Sequence, residues 1–125
     1  MANDENPFHV DLRSLPAVTL PTAVIRPFTT DDVQVVFVEA GAGTQLPAHS
    51  HPEEQLTFVI SGRIRVEIEG QAPFEIGPHE LAHFPANIPH HVEVMEDTVS
   101  YDVFSPANQE LARRARDAQA DLGYR

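Results

Sequence analysis

Residues 43–62 constrain the fold of this chain more than any other segment. They read GTQLPAHSHPEEQLTFVISG, so His49 and His51 stand two residues apart, and Gln55 follows after a turn-prone Pro-Glu-Glu. Side chains two residues apart on an extended strand project to the same face. Imidazole nitrogens and an amide oxygen that converge on one point are typical ligands of a divalent metal ion. The segment therefore predicts a metal site built on β-strands.

Composition limits the ligands and partners of such a site. The 125 residues include neither Cys nor Lys, so any metal must be bound by nitrogen and oxygen donors. Nineteen acidic residues against eight arginines give a net charge of −11, which argues against nucleic acids and anionic membranes as partners. The length fits one domain. Since no apolar stretch is long enough to span a bilayer and no signal-peptide pattern is visible, we expect a cytoplasmic protein that acts on a small molecule.

Short apolar runs separated by Gly and Pro predict an all-β fold. β-Branched residues dominate residues 33–39, as is typical of a buried strand, whereas residues 63–69 alternate between charged and apolar side chains. The predicted strands from the site onwards are residues 55–60, 63–69, 74–76, 92–95 and 99–104. We expect turns at Ser61-Gly62 and at Glu96-Asp97.

The strand at residues 55–60 has two different faces. Gln55 and Thr57 share the face that we assign to the cavity and its ligands. The opposite face presents Leu56, Phe58 and Ile60, which a second sheet or a partner subunit must cover. This apolar strip on a small acidic domain predicts a homodimer.

Residues 105–125 predict a helix. Ser105 fits an N-cap and Pro106 the first helical position, with the end at about Asp121 and Gly123 just beyond it. A narrow apolar stripe is formed by Leu111, Ala115, Ala118 and Leu122. We expect this helix to lie on the surface of the domain or against a neighbouring subunit.

Residues further along the chain complete a known pattern. The first cupin motif is matched by Gly43, His49, His51 and Gly62, with Gln55 where Glu is usual. The second motif is matched by Pro85 and His90, with His79 and Asn87 where Gly is usual. Over roughly residues 33–104 the chain therefore resembles the cupin superfamily.

This resemblance implies a cupin double-stranded β-helix, a small jelly-roll barrel, followed by a short C-terminal α-helix. It implies that His90 joins His49, His51 and Gln55 as a metal ligand, for one divalent ion per chain (Zn, Ni, Fe or Mn). Gln55 binds that ion directly or through a water molecule. We expect a flexible N-terminal segment at residues 1–9, the barrel at 10–104, and the helix and tail at 105–125.

A closer resemblance concerns the run HSHPEEQLTFVISGRIRVEIEG and the later YDVFSP. Both are similar to single-domain cupins of pectin and alginate breakdown, which open cyclic unsaturated uronates. Those proteins also use Gln in place of Glu, and they carry an Asp-x-Phe matched here by Asp102 and Phe104. Where they carry an Arg shortly afterwards, this chain has Asn108. Cupin-type cyclases of polyketide pathways are similar in size.

We therefore expect a metal-dependent isomerase, cyclase or lyase that transfers protons without redox change. Its substrate would be an oxygen-rich small molecule such as a sugar acid. Four neutral ligands leave the metal its full charge, which favours Lewis-acid chemistry. Asp102 would act as the catalytic acid/base, because apolar walls raise the pKa of a carboxyl group. Substrate contacts are expected from Phe104, Thr57 and His83.

Three other functions remain open on the sequence alone. One is a polyketide cyclase. Another is a cupin dioxygenase, in which three histidines hold Fe(II) with open positions for O₂. The third is a module that binds a small ligand without turning it over.

Overall fold

The computed structural model of the protein describes residues 2–3 and 6–121, which are folded mainly into strands. In chain order the strands are β1 (Ala2–Asn3), β2 (Asn6–Val10), β3 (Val18–Leu20), β4 (Ala23–Thr29), β5 (Gln34–Ala40), β6 (Gln45–His49), β7 (Glu54–Ile68), β8 (Phe74–Ile76), β9 (Leu81–Phe84) and β10 (His90–Ser105). A short 3-10 turn covers Leu12–Ser14, and one helix, α1, covers Gln109–Asp121. This content confirms the predicted all-β class with a C-terminal helix.

Two long strands, β7 and β10, run through both sheets of the barrel. They pair antiparallel along most of their length, from His90 opposite Ile68 to Ser105 opposite Glu54. The first part of β10 also pairs with β6, and its last part pairs with β5. The pairings join the eight strands from β3 to β10 into one continuous antiparallel sheet. The bend in β7 and β10 divides it into two halves, which we call the two sheets of the barrel: one contains β3, β4, β5 and β9, and the other contains β6 and β8. This two-sheet arrangement is the predicted jelly-roll barrel.

The predicted turn at Ser61-Gly62 is wrong, because β7 continues through it. Irregular pairing of β10 with β7 between Val94 and Ser100 bends both strands without reversing them. Gly62 has a φ of 96°. A Cβ atom there would lie 2.5 Å from the carbonyl oxygen of Asp97 and closer still to the hydroxyl of Thr98. Glycine is required because the bulge brings the two backbones together.

The predicted turn at Glu96-Asp97 is wrong for the same reason, since β10 is continuous from His90 to Ser105. Asp97 instead accepts a hydrogen bond on Oδ1 from the backbone N–H of Ala42 (2.9 Å). The side chain thereby ties the bend in β10 to the loop between β5 and β6.

The core lies between the two sheets. It consists of Val59, Ile64, Val66, Ile76, Ala82, Phe84, Val92 and Val94, all buried. The alternation predicted for residues 63–69 is confirmed, because Ile64 and Val66 face this core. Val36 in β5 is also buried, as its apolar strand predicted.

The helix begins three residues later than predicted, at Gln109. Ser105 still pairs with Glu54 in β10, so it is not available as the N-cap. Asn108 caps the helix instead: its Oδ1 accepts from the N–H of Leu111 (3.0 Å), and its carbonyl accepts from Ala112 (3.1 Å).

Helix α1 packs on β3 and β4. Ala112 and Ala115 are buried in this contact, while Leu122 and Gly123 of the predicted stripe and C-cap lie outside the described residues. Neither α1 nor the short 3-10 turn in the described part of the chain is long and apolar enough to cross a bilayer. The helix therefore packs at the edge of the barrel that β3 and β4 form.

Near the N-terminus, β1 and β2 pair with each other as a two-stranded ribbon. Most of β2 is exposed. The flexibility of residues 1–9 and the boundaries drawn at residues 9 and 104 stay predictions.

Candidate metal centre and adjoining cavity

Three histidines from two parts of the chain meet at one end of the barrel. His49 ends β6, His51 follows in the next loop, and His90 begins β10. His49 and His90 are opposite one another in the pairing of β6 with β10. One ligand nitrogen from each ring lies within 4.8 Å of the other two. Three histidines are thus positioned to bind a metal ion.

Backbone hydrogen bonds orient each of these rings. Every Nδ1 lies within hydrogen-bond distance of the carbonyl oxygen two residues away in the sequence. The three partners are Pro47 (2.7 Å), Glu53 (2.9 Å) and Ile88 (3.1 Å). A carbonyl can only accept, so Nδ1 carries the proton and Nε2 keeps its lone pair. That tautomer is the one a metal requires when Nε2 is the ligand.

Gln55 supplies an oxygen to the same point. Its Oε1 lies 3.0 Å from Nε2 of His51, and its Nε2 donates to Oγ1 of Thr57 (2.9 Å). Since Nδ1 of His51 bears the proton, Nε2 and Oε1 are two acceptors that face each other. A cation shared between them stabilises such a pair. The residues therefore fit a divalent ion with three nitrogen ligands and one oxygen ligand, all of them neutral.

A carboxylate lies directly behind Gln55. Thr57 and Asp102 are cross-strand partners, and the hydroxyl of Thr57 donates to Oδ1 of Asp102 (2.6 Å). Burial raises the pKa of Asp102 to about 6, although hydrogen bonds from Thr57 and Gln55 and the proximity of His51 act in the opposite direction. Asp102 is thus suited to exchange a proton near neutral pH.

Burial has the opposite effect on His90, which is only 4% exposed. Loss of solvent lowers its pKa, and the hydrogen bond to Ile88 raises it to a smaller extent. His49 and His51 lower it further. The ring therefore favours the neutral form, which is the form that binds metal.

A cavity of about 260 Å³ lies inside the barrel, and Gln55 is the member of the metal-binding set that lines it. Gln55, Thr57 and Asp102 form part of its wall. The ring of Phe104 lies at the histidine cluster, 5.5 Å from the ring of His51. The structure thus brings together all the predicted site residues except one, and their chemical roles stay predictions.

The exception is His83, which lies outside the cavity. Its neighbours in β9, Ala82 and Phe84, are buried in the core, so strand alternation turns His83 outward. Its Nε2 lies 2.8 Å from a carboxylate oxygen of Glu54, and half of the side chain is exposed (50%). The expectation that His83 contacts substrate is therefore corrected.

The two departures from the second motif have a common backbone reason. His79 and Asn87 have φ values of 68° and 65°, in the left-handed region where glycine is most easily accommodated. The backbone N–H of Asn87 donates to the carbonyl of His51 (2.8 Å). That bond joins the loop before His90 to the first motif.

Two features of the site were missed from the sequence. Phe84 packs 4.5 Å from the ring of His90, and Thr57 links Gln55 to Asp102. The strand parity of Phe84, opposite to that of His83, was the signal for the first. The second depends on cross-strand register, which the sequence does not display.

Comparison with known families supports this geometry. The family model described as "Cupin domain" matches residues 34–104, more than half of the chain. Among curated proteins, the chain is 33% identical over 64 residues to dimethylsulfoniopropionate lyase DddQ from Ruegeria pomeroyi. That match covers 51% of this chain and 32% of the relative, so it spans about a third of the relative's length.

Solved structures give the same fold. KdgF from Halomonas sp. is 25% identical with a TM-score of 0.70, and the match covers 75% of this chain and 89% of that one. An RmlC-like cupin from Shewanella frigidimarina NCIMB 400 is 15% identical with a TM-score of 0.75, covering 82% and 94%. The second likeness bears on the fold alone, and it confirms the jelly-roll barrel.

Proposed function

Since the chain belongs to the cupin family, we propose that it is a metal-dependent enzyme that transfers protons without redox change on a small molecule with metal-binding oxygens. Ring opening, tautomerisation, cyclisation and lyase-type elimination are reactions of this class. One observation carries the proposal: Gln55, whose Oε1 faces Nε2 of His51, is linked by hydrogen bonds through Thr57 to Asp102. This link puts a carboxyl group beside the metal-binding cluster and at the wall of the cavity.

The residues that would hold the metal are His49, His51 and His90 through Nε2, and Gln55 through Oε1. When bound, a divalent ion with these neutral ligands keeps its charge and supplies Lewis-acid polarisation of a carbonyl or carboxylate oxygen. The amide of Gln55 is held in the required orientation because Thr57 accepts its N–H.

Asp102 performs the proton transfer in this proposal. With a pKa of about 6 it is mostly ionised at neutral pH, so it can accept a proton from a C–H or O–H group in the cavity. The hydroxyl of Thr57 holds one carboxylate oxygen in place. In an isomerisation or a ring opening, Asp102 then returns the proton at another position of the substrate. In an elimination, the leaving group departs as the double bond forms, and Asp102 passes the proton to solvent.

Two substrates follow from the resemblances. The motif run is similar to uronate-opening cupins, which favours an unsaturated sugar acid. The identity to a dimethylsulfoniopropionate lyase favours an elimination from a short carboxylic acid as a second candidate. Both molecules carry a carboxylate, and both reactions need abstraction of a proton rather than oxygen.

The test is turnover of both compounds by metal-reconstituted protein in D₂O, followed by NMR and by an oxygen electrode. We expect no oxygen uptake with either compound, and we expect solvent deuterium in the product of the sugar acid, because in that reaction the proton is returned to the substrate. Asp102→Asn should keep the metal and lower turnover by at least about 10²-fold, the lower bound for general acid–base catalysis. Oxygen consumption in step with substrate loss would instead establish a dioxygenase, and tight binding without product would establish a binding module.

A further inference from the structure

The wall of the cavity is mainly aliphatic beyond its polar end. Away from Gln55, Thr57 and Asp102 the space is enclosed by side chains of both sheets. The aliphatic ones include Leu20, Ile25, Val38, Leu46, Ile64 and Val92. Hydrocarbon on the ligand gains free energy against such a wall, whereas hydroxyl groups lose their hydrogen bonds to water there.

Positive charge is missing from the same wall. Among the described residues that line the cavity, Asp102 is the one charged side chain and none is an arginine. At the position where uronate-opening cupins carry an Arg, Asn108 caps α1, and its carbonyl accepts a hydrogen bond from Nε2 of Gln34 (3.0 Å). Asn108 is thus engaged in the helix and the barrel edge, outside the cavity lining. Gln55, at the polar end of the cavity, has its Oε1 3.0 Å from Nε2 of His51, so a metal ion held by the histidine cluster would give an anionic group of the ligand its favourable position at this end.

Polar side chains of the wall bond largely to one another or to the backbone. Gln55 donates to Thr57, and Thr57 donates to Asp102. The hydroxyl of Thr44 donates to the carbonyl of Gly41 (2.7 Å), and that of Thr98 to the carbonyl of Glu96 (2.7 Å). The other polar side chains of the lining are Thr22 and Ser100, which offer hydroxyl groups, and Gln45, which offers an amide. These donors are fewer than the hydroxyl groups of a sugar acid such as galacturonate.

We propose that the cavity takes a short-chain aliphatic carboxylic acid, with its carboxylate at the histidine cluster and its hydrocarbon body against the aliphatic wall. This inference rests on the proposed metal-dependent function and narrows its substrate class. At about 30 Å³ for each water-sized group, 260 Å³ holds about eight to nine such groups, which is the size of hexanoate.

The test is a binding series on metal-reconstituted protein by isothermal titration calorimetry, with acetate, butyrate, hexanoate, octanoate and galacturonate. Each methylene group that contacts the wall should tighten binding about fourfold, so hexanoate should bind about fifteenfold more tightly than butyrate. Octanoate should gain nothing further, because the cavity is then full. Galacturonate, which has the same number of carbon atoms as hexanoate, should bind no more tightly than butyrate.

Val38→Thr probes the wall with a side chain of nearly the same shape. It should reduce the ratio of the affinity for hexanoate to the affinity for acetate several-fold, and it should leave the affinity for acetate unchanged. Val35→Thr is the matched control, since it makes the same change on the other face of β5 and should alter neither.

Tighter binding of galacturonate than of hexanoate, or no trend with chain length, would overturn the substrate class while leaving the metal-dependent function intact. Failure to take up metal would instead contradict the proposed function. The chain-length series is then measured on the metal-free protein, because the aliphatic wall does not depend on the ion.

Discussion

Replacement of Asp102 by Asn tests whether the ionised form of this buried carboxyl group lowers the free energy of unfolding. Its pKa rises from 3.8 to about 6 on folding, so the folded protein binds this proton more tightly than the unfolded chain does. Stability is therefore lost as the pH rises from about 4 through 6. A shift of about 2 units at 1.36 kcal/mol each corresponds to roughly 3 kcal/mol above pH 6. Asn keeps an oxygen that can accept the hydrogen bond from Thr57 but carries no charge. The stability of the variant therefore should not fall over this pH range for this reason.

The assay is urea unfolding of chelator-treated wild type and Asp102→Asn at pH 4 and pH 8. The free energy of unfolding of the variant, minus that of the wild type, should be larger at pH 8 by up to about 3 kcal/mol. Taking the difference cancels the other titrating groups that the two proteins share. With a divalent ion bound, the difference in free energy of unfolding between the variant and the wild type at pH 8 should be smaller, because a nearby cation stabilises the ionised carboxylate.

Asp31→Asn is the control for the loss of one negative charge from an acidic chain, since Asp31 lies exposed in the turn after β4. Its effect on the free energy of unfolding should be small at either pH. An equal gap between Asp102→Asn and wild type at pH 4 and pH 8 would refute the reasoning. Asp102 would then be well solvated, and its role as a proton shuttle would lose its physical basis.

Three further predictions concern the hydrogen bonds of Thr57, the bulge at Gly62 and the assembly of the protein into a dimer. Thr57→Val removes the hydrogen bond that orients Gln55 and the one that Thr57 donates to Asp102. It should weaken metal binding about 10–100-fold in a chelator competition, whereas Thr57→Ser should keep the wild-type affinity. Unchanged affinity in the Val variant would show that Thr57 does not support the site. Gly62→Ala should lower the melting temperature sharply, because its Cβ collides with backbone of β10, and an unaltered temperature would contradict the bulge geometry. Ile60 and Leu81 are about half exposed beside Phe58, so we propose a homodimer through this face; light scattering should give twice the chain mass, and Ile60→Glu should give the monomer. A monomeric wild type at micromolar concentration would refute the dimer.

The metal cluster could be predicted because its signal is local. His49 and His51 are two residues apart, and Gln55 follows at a fixed spacing, so strand parity and motif matching placed them without knowledge of the fold. His90 required the family resemblance, since nothing in the sequence near it specifies which strand faces it. Strand parity placed Thr57 on the cavity face, whereas Asp102 and Phe104 were singled out by the resemblance to the Asp-x-Phe motif. Asp102 lines the cavity, and the ring of Phe104 lies against that of His51.

The errors arose where two structures share one sequence signal. A Gly next to a Ser is typical of both a turn and a bulge, and only the approach of Thr98 decides that Gly62 makes a bulge. Ser105-Pro106 fits a helix N-terminus, yet pairing with Glu54 keeps Ser105 in the sheet. The four residues of β9 are too few to fix strand phase, so His83 was assigned to the wrong face.

Metal content is the most direct test of the account. Elemental analysis of the purified wild-type protein, or of protein reconstituted with a divalent ion, should give close to one ion per chain. His51→Ala should lose that ion, whereas His91→Ala should keep it, because His91 lies outside the cluster and contacts Glu67 (2.8 Å). A wild-type protein that contains no metal and takes up none on reconstitution would contradict the account, as would a His51→Ala variant that binds metal as the wild type does.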